Sequence, residues 1–402
     1  MRGARYARAA RTLGVVLATG LLVLGCSSPV AGRAVKDPNA APPGEVQPEL
    51  LEPGNYPTAR RPEPRPSAQT AVLVEAHRIA GYVVGPWEVD PALIDPNPLA
   101  TLVIASPKAL DLVMPAPGSD IAAAHHLING FATERHTADG AGPQRALGNA
   151  VMRFPTDGDA AAAAADFAAQ LSPPPGTPPW TPVDVPGHPE ALARQGALDD
   201  GMATVTSVTA HGPYVLYQYA RAKNGVDAAT ALVAKTLDLQ GGRIDAFTPT
   251  DPAQFATLDP DPTHLLAATL IPENPTVNMG LYDQAGILHF QGNPIQGAQL
   301  YTDAGLDAAA VGKTTIYQTK DAAAAVVLAD KIAGIIGDGK QPGAPVPGMP
   351  KARCFIGTGT DMALGQFSCV AAAQRWVITA MSKQDFDARQ QIAAQYLMLV
   401  GK

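Results

Sequence analysis

Four times in this chain a short run of β-branched or aromatic residues passes through a polar turn into an alanine-rich helix opened by aspartate. Self-similarity of this kind restricts the fold more than composition does. The first unit is Ala150-Val151-Met152-Arg153-Phe154, then Asp159 and a helix to about Leu171; the second is Tyr214 to Tyr219, then Asp227 and a helix to about Leu239. The third is Thr315 to Gln318 with Asp321 and a helix to about Ile336, and the fourth is Trp376 to Ala380 with Asp385 or Asp387 and a helix to Val400. Each aspartate is a good N-cap. Units one and three lie about 165 residues apart, and units two and four about 160, which divides the chain into two similar halves.

Apolar spacing supports the helices: Leu328, Ile332, Ile335 and Ile336 share a face, as do Ile392, Tyr396 and Leu399. An alternating stretch precedes the second strand of each half, Met202 to Ala210 and Gln366 to Ala373. The pattern predicts an α+β fold of two related halves, 69–250 and 251–402, each an antiparallel sheet with packed helices in the order strand, helix, strands, helix. The join falls between Thr248 and Thr263, where Pro249, Pro252, Pro260 and Pro262 alternate with acids and block both helix and central strand.

The N-terminus carries an address. Arg2, Arg5, Arg8 and Arg11 precede an apolar run from Leu13 to Leu24 that is too short to span a bilayer comfortably, the pattern of a secretory signal peptide over 1–25. Val23-Leu24-Gly25-Cys26-Ser27-Ser28 resembles a bacterial lipobox, which implies a diacylglyceryl group on Cys26 as the mature N-terminus. Two acyl chains anchor a protein stably where one would not. Ten prolines between Ser27 and Ala68, with no apolar periodicity, read as a disordered, semi-extended tether over 26–68. The expected location is the outer face of the cytoplasmic membrane, held there by lipid.

With Cys26 spent on lipid, Cys354 and Cys369 are left to form a disulfide in an oxidising compartment. The intervening Gly357-Thr358-Gly359-Thr360-Asp361 reads as a turn that sets them on facing strands. Such a staple is worth roughly 3 kcal/mol. At an offset of 162, Cys369 falls on Ser207 and Cys354 on Leu192, so the staple belongs to the second half alone.

The formal net charge of -7 becomes about -11 once the signal peptide's four arginines are removed. A surface without clustered Lys and Arg argues against nucleic acid and against direct attraction to anionic headgroups. No Gly-x-Ser-x-Gly, Ser-x-x-Lys, His-Glu-x-x-His, Walker or zinc-type cysteine pattern occurs in the sequence, so no catalytic residue, cofactor or metal is assigned. Asp259-Pro260-Asp261 supplies too few oxygens for a calcium loop. His125-His126 is placed on a short helix that starts at Ser119; adjacent helical side chains diverge by about 100°, and His125 shares a face with Ile121 and Ile128, as a hydrogen-bonded core histidine would. Glu134-Arg135-His136 sets a carboxylate beside an imidazole, the raw material of a general base. Neighbours on a strand face opposite ways, however, which favours a solvated charge cluster. Trp87, Trp180 and Trp376 read as core.

Several short pieces carry a family resemblance: Leu51-Glu52-Pro53-Gly54-Asn55-Tyr56-Pro57-Thr58; Ala80-Gly81-Tyr82-Val83-Val84-Gly85-Pro86 with Glu88-Val89-Asp90-Pro91; Asn129-Gly130-Phe131 with Arg135; Met152-Arg153-Phe154 with its helix; and the paired cysteines. On these residues, roughly 48 to 402, the chain resembles a family of actinobacterial cell-envelope lipoproteins, mycobacterial and nocardial, carried as the domain of unknown function DUF7373. The resemblance implies no activity, ligand or catalytic residue. The second half also looks, at the level of fold, like extracytoplasmic sensor domains of actinobacterial receptor kinases. The function expected is non-catalytic binding or sensing of an envelope lipid, glycan or protein; the alternatives are an enzyme with an unrecognised site and a structural envelope component.

Overall fold

Two antiparallel sheets carry the two halves. A computed structural model of the protein describes residues 44–401 except 139, 141, 172, 174, 175, 177, 199 and 358–365. The expected signal peptide, Cys26 and tether residues 26–43 lie outside the described residues, as do 358–361 of the expected turn between the cysteines. The first half runs α1 (Ala68–Ala80), α2 (Pro86–Val89), β1 (Leu93–Pro96), β2 (Leu102–Ile104), α3 (Gly118–Ala124), β3 (Asn129–Thr137), β4 (Arg145–Arg153), α4 (Asp157–Gln170), β5 (Thr181–Pro182), β6 (Leu192–Ala197), β7 (Ala203–His211), β8 (Tyr214–Ala222) and α5 (Val226–Asp245). The second runs β9 (Gly280–Tyr282), α6 (Pro294–Ala304), β10 (Ala308–Val311), β11 (Thr314–Gln318), α7 (Ala322–Gly337), β12 (Gln341–Pro342), β13 (Arg353–Ile356), β14 (Phe367–Ala373), β15 (Trp376–Ser382) and α8 (Asp385–Val400). No helix among the described residues is long and apolar enough to cross a membrane.

Apart from β2, the two sheets share one strand order. The first sheet is ordered β1-β3-β4-β8-β7-β6-β5, with β2 also on β3, and the second β9-β10-β11-β15-β14-β13-β12. The faces are covered by α4 and α5 on the first sheet, with α1 beside α5, and by α7 and α8 on the second. On β8, Val215 and Tyr217 point into a cluster with Phe167 of α4, whereas Leu216 and Ala220 join Val233 and Leu237 of α5. In the second half, Val377 packs with Leu328 of α7 while Ile378 and Ala380 pack with Ile392 of α8. Strands covered on both sides are apolar on both sides, which is why these runs are nearly continuous rather than alternating. The α5 face of the first sheet and the α7 face of the second belong to one contiguous core.

The capping aspartates are corrected in three units of four. Asp321 does cap α7, accepting from the Ala324 N–H at 2.8 Å. Thr156 caps α4, accepting from the Asp159 N–H at 3.1 Å and donating to Asp159 Oδ2 at 2.7 Å. Gly225, at φ +107°, precedes α5, and Gln384 precedes α8 without a side-chain cap bond. The remaining aspartates sit inside the first turn, where a negative charge still complements the helix dipole. Ile335, expected on the core face of α7, is exposed.

From Gly44 the proline-rich stretch is packed on the second half, so the tether reading fails for 44–67. Gln47 donates its N–H to the Gly348 carbonyl (2.8 Å) and Arg61 its N–H to that of Ala267 (2.9 Å). Leu51 is buried among Val346, Met349 and Leu265. The Tyr56 hydroxyl donates to Asp387 Oδ1 at 2.6 Å, and Lys313 Nζ stands 5.4 Å from its ring centre. Prolines bar this segment from helix and central strand but leave isolated anchors free to dock.

Cys354 and Cys369 are paired across β13 and β14 and joined by a disulfide. By ladder position Cys369 corresponds to Ser207, as expected, but Cys354 corresponds to Ala193 rather than Leu192. The connection is one residue longer in the second half, 15 residues from Cys354 to Cys369 against 14 from Ala193 to Ser207.

The closest internal likeness is a buried glutamine. On α5, Gln240 Oε1 accepts from the Val84 N–H (2.8 Å) and from Asn149 Nδ2 (2.8 Å), and its Nε2 donates to the Tyr82 carbonyl (2.8 Å). On α8, Gln395 Oε1 accepts from the Leu270 N–H (2.9 Å) and the Thr314 hydroxyl (2.6 Å), and its Nε2 donates to the Ala268 carbonyl. Each amide clasps residues i and i+2 of an incoming segment that has just left a turn, and the second central strand beneath it. Both glutamines are fully buried. Truncation to alanine leaves several polar groups unpaired in the interior, at about 1–3 kcal/mol apiece. Gln395→Ala and Gln240→Ala are each expected to lower unfolding stability by roughly 3 kcal/mol or more in urea titrations; a change within ordinary surface-mutation range would refute the clasp.

Candidate functional site

The two halves meet along α1, which packs on β3 of the first sheet and β9 of the second. Ser67 starts α1 with a capping box: its Oγ accepts from the Thr70 N–H at 3.1 Å, and Thr70 Oγ1 accepts from the Ser67 N–H at 3.1 Å. Ala71, Ala76, Ile79 and Ala80 turn into the core. Glu75, also on the buried side, is the polar anchor. Its Oε1 pairs with Arg78 and accepts from the Thr250 hydroxyl (2.8 Å), and its Oε2 accepts from the Thr250 N–H (2.9 Å) and lies 3.5 Å from Arg153. A buried carboxylate is tolerable only when paired and hydrogen-bonded in this way. The arrangement fixes the helix to the chain that crosses between the halves.

A second set of contacts holds the seam on the other side. Arg135 is fully buried, not part of a solvated cluster: its guanidinium donates to the carbonyls of Ile94, His289 (2.8 Å) and Gln291 (2.7 Å) and lies over the Trp87 ring at 5.1 Å. Burial lowers its pKa to about 10, which leaves it charged at neutral pH. His289 donates from Nε2 to the Ala80 carbonyl at 3.0 Å and stacks obliquely on Phe131 and Trp87. A single turn of the second half, Gly286–Phe290, is thereby plugged into the first. Glu134 and His136 flank Arg135 on the opposite face and are partly or fully exposed.

Between these anchors the seam is not filled. A cavity of about 360 Å³ lies against the face of α1 formed by Thr70, Leu73, Val74 and His77, and is closed by Leu258, Leu266 and Leu281. That volume falls at the low end of the range for small-molecule sites, about 300–1,000 Å³. Its charged members are Arg78 and Asp259, the latter exposed. His77 donates from Nε2 to the Val277 carbonyl at 2.8 Å and lies edge-on to Tyr282. Gly280 permits this, since a Cβ there would fall 2.2 Å from the imidazole. Asp261, next to the rim, is spent internally, accepting from the Ala267 N–H at 2.8 Å.

The other residues singled out in the sequence are scattered. His125 ends α3 and pairs with Asp166 on α4 at 2.7 Å, a partly exposed bridge instead of a core position; Pro117, not Ser119, precedes the helix. His126 has a left-handed backbone, φ +59°. Trp87 and Trp180 are buried, and Trp376 is partly so, donating to Gln318 Oε1 at 3.0 Å. None of these lines the seam cavity. Thr70, Leu73, Val74, His77 and Arg78 of its lining are on α1, whose capping Ser67 and spacing of Ala71, Ala76, Ile79 and Ala80 are the available sequence signals.

Burial pushes His77 down to about 4 and His289 down to about 3, the latter helped by the Arg135 charge. Both are therefore neutral in the folded protein, whereas the unfolded chain protonates them below about 6.5. Their stabilising effect is whole above pH 6.5 and is lost as pH falls toward 4, each costing about 1.4 kcal/mol per pH unit in that window. The denaturation midpoint is expected to drop across pH 6.5 to 4.5, less steeply in His77→Gln; identical slopes would show that His77 is not buried neutral.

No match to this chain was found among curated proteins. Among solved structures, the crystal structure of the extracellular domain of PknH from Mycobacterium tuberculosis is similar over 39% of this chain and 91% of that chain, at 15% identity and a TM-score of 0.27. Two family models match: the DUF7373 N-terminal domain of unknown function over residues 62–260 and its C-terminal counterpart over 259–402. The two matches overlap at Asp259 and Pro260, both of which line the seam cavity. With the two models together spanning 62–402, the chain belongs to the DUF7373 family.

Proposed function

We propose that the protein is a lipid-anchored extracytoplasmic binding module that holds an acyl chain of an envelope lipid in the seam cavity. The observation that carries this reading is the cavity itself: leucine and valine walls, with Arg78 and Asp259 among its lining. An apolar slot with few polar groups suits an amphiphile whose chain enters and whose head group stays near the guanidinium. Catalysis is disfavoured there, because His77 has one ring nitrogen committed to a backbone carbonyl and the Thr70 hydroxyl, also in the lining, is bonded to Ser67.

Two measurements test the two parts of the reading. Mature protein is expected to carry lipid detectable by mass spectrometry of an organic extract, and to bind a fluorescent fatty acid. Leu73→Trp and Leu266→Trp, which fill the cavity, are expected to weaken that binding at least tenfold, since each methylene kept from burial forfeits about 0.8 kcal/mol. No extracted lipid and no fatty-acid binding would overturn the proposal. Separately, Cys26→Ser is expected to move the protein out of the membrane fraction and abolish labelling by palmitate; retention with label would overturn the anchor.

A further inference from the structure

The seam cavity has a length as well as a volume. Its lining follows one face of α1 from Thr70 to Arg78, about 12 Å of helix at ~1.5 Å per residue. With a volume of about 360 Å³, the mean bore is roughly 30 Å². An extended carbon chain advances about 1.25 Å per bond, from bonds of about 1.52 Å at angles near ~111°. A methylene takes about as much room as a liquid water, ~30 Å³, so the chain's cross-section is roughly 24 Å². The bore admits one such chain and is too narrow for two.

The two ends differ. At the Arg78 end the wall meets solvent: the Arg78 side chain is 41% exposed, and Asp259 is exposed. Arg78 Nη1 is spent on Glu75 and Thr250, and Nη2 gives one bond to the Thr248 carbonyl at 3.1 Å. Its Nε and the second Nη2 hydrogen take no partner among the described residues, which leaves them for a head group. The Thr70 end is closed by Pro64, on the segment that enters α1 through Ser67, together with Leu266. Arg61 draws that segment against Leu266: it donates its N–H to the Ala267 carbonyl at 2.9 Å and its guanidinium to the carbonyl of Leu266. Glu63 Oε1 lies 3.1 Å from His264 Nδ1 and ties the same strap again. Pro62, Pro64 and Pro66 fix their own φ and have no N–H to give, so the strap stays extended across the end of the cavity.

We propose that the seam cavity measures its ligand, burying a single acyl chain of about ten to twelve carbons with Pro64 and Leu266 as the end stop. This rests on the acyl-chain reading above and names which chains the site prefers. The length of the cavity gives about ten carbons and its volume about twelve. Up to that size every methylene leaves water for an apolar wall; beyond it the added carbons find no wall, and affinity stops rising. A lipid with two long chains seats only one of them.

Saturated fatty acids of eight to eighteen carbons, each below its micelle concentration, test the ruler by displacing a fluorescent fatty acid from the mature protein. Affinity is expected to rise about fourfold per methylene up to about twelve carbons and then to stay level. Leu266→Ala takes three carbons from the end stop and should carry the break outward by about two to three methylenes. Pro64→Ala, at a partly exposed position, should move it outward by less. An unbroken rise to eighteen carbons, or a break that neither substitution moves, would overturn the ruler and leave acyl-chain binding standing. Absence of binding at every length would overturn the acyl-chain reading and the ruler with it.

Discussion

The clasp made by one buried glutamine in the last helix of each half is the interaction on which the architecture hangs. A carboxamide presents a donor and an acceptor at about the separation of a strand's own C=O and N–H, so Gln240 and Gln395 act as a single residue of β-partner for Tyr82–Val84 and Ala268–Leu270. Those segments lie over the sheet, where no neighbouring strand can satisfy them, and an unpaired peptide group there would be costly. By pairing them, the glutamine lets a length of irregular chain be buried without forming an element. In the first half that chain leads from α1 into α2, and in the second it leads from the join toward β9. Both halves thus receive their entering segment over the final helix.

The seam follows from that placement. With the chain after α1 fixed by Gln240, α1 lies between the sheets, and its polar side chains must find partners there. Glu75 reaches Thr250 and Arg153, and His77 reaches the Val277 carbonyl. Arg135 and His289 close the opposite side. Each of these contacts is directional, so they set the spacing of the halves rather than letting apolar side chains collapse upon one another. Packing is complete where Phe131, Trp87 and His289 interleave and incomplete along Leu73 and Val74, where the anchors hold the wall off. An apolar cavity next to buried polar anchors is the natural product of such a division.

How much of this was legible in the sequence depends on the range over which each feature acts. The strand and helix runs are local, so the four units and the two-half plan were readable from β-branched clusters and alanine-rich periodicity. Caps were less so, because Thr156 and Asp159 share one turn and either could serve. The clasp was hidden for a different reason: Gln240 and Gln395 are 155 residues apart, whereas Asn149 and Thr314 beneath them are 165 apart. Unequal loops between helix and strand break any constant offset, and a buried glutamine on a helix otherwise resembles a surface one. The burial of Arg135 is hidden because its neighbours Glu134 and His136 lie on the other face of the strand, and nothing local distinguishes the face that a second domain covers. Leu51 and Tyr56 were lost among prolines, where two anchors leave no period.

The two halves solve the same mechanical problem with different chemistry. One row crosses the first sheet through Ser207, Gln218 and Asn149; the matching row of the second crosses Cys369, Ala380 and Thr314. In the first, Gln218 Nε2 donates to Asn149 Oδ1 at 3.1 Å, extending the clasp of Gln240 into a buried amide chain across two strands. In the second, Ala380 ends that chain, and the strand beyond is tied to its outer neighbour by the Cys354–Cys369 bond. A hydrogen-bonded amide chain holds strands already in register, whereas a covalent bond holds them whether or not the interior is dry. The staple stands one strand farther from the sheet's centre than the amide chain it replaces. It secures the half that also carries residues 44–67 across its surface, where Leu51 seals the same apolar cluster in which both sulfur atoms are buried.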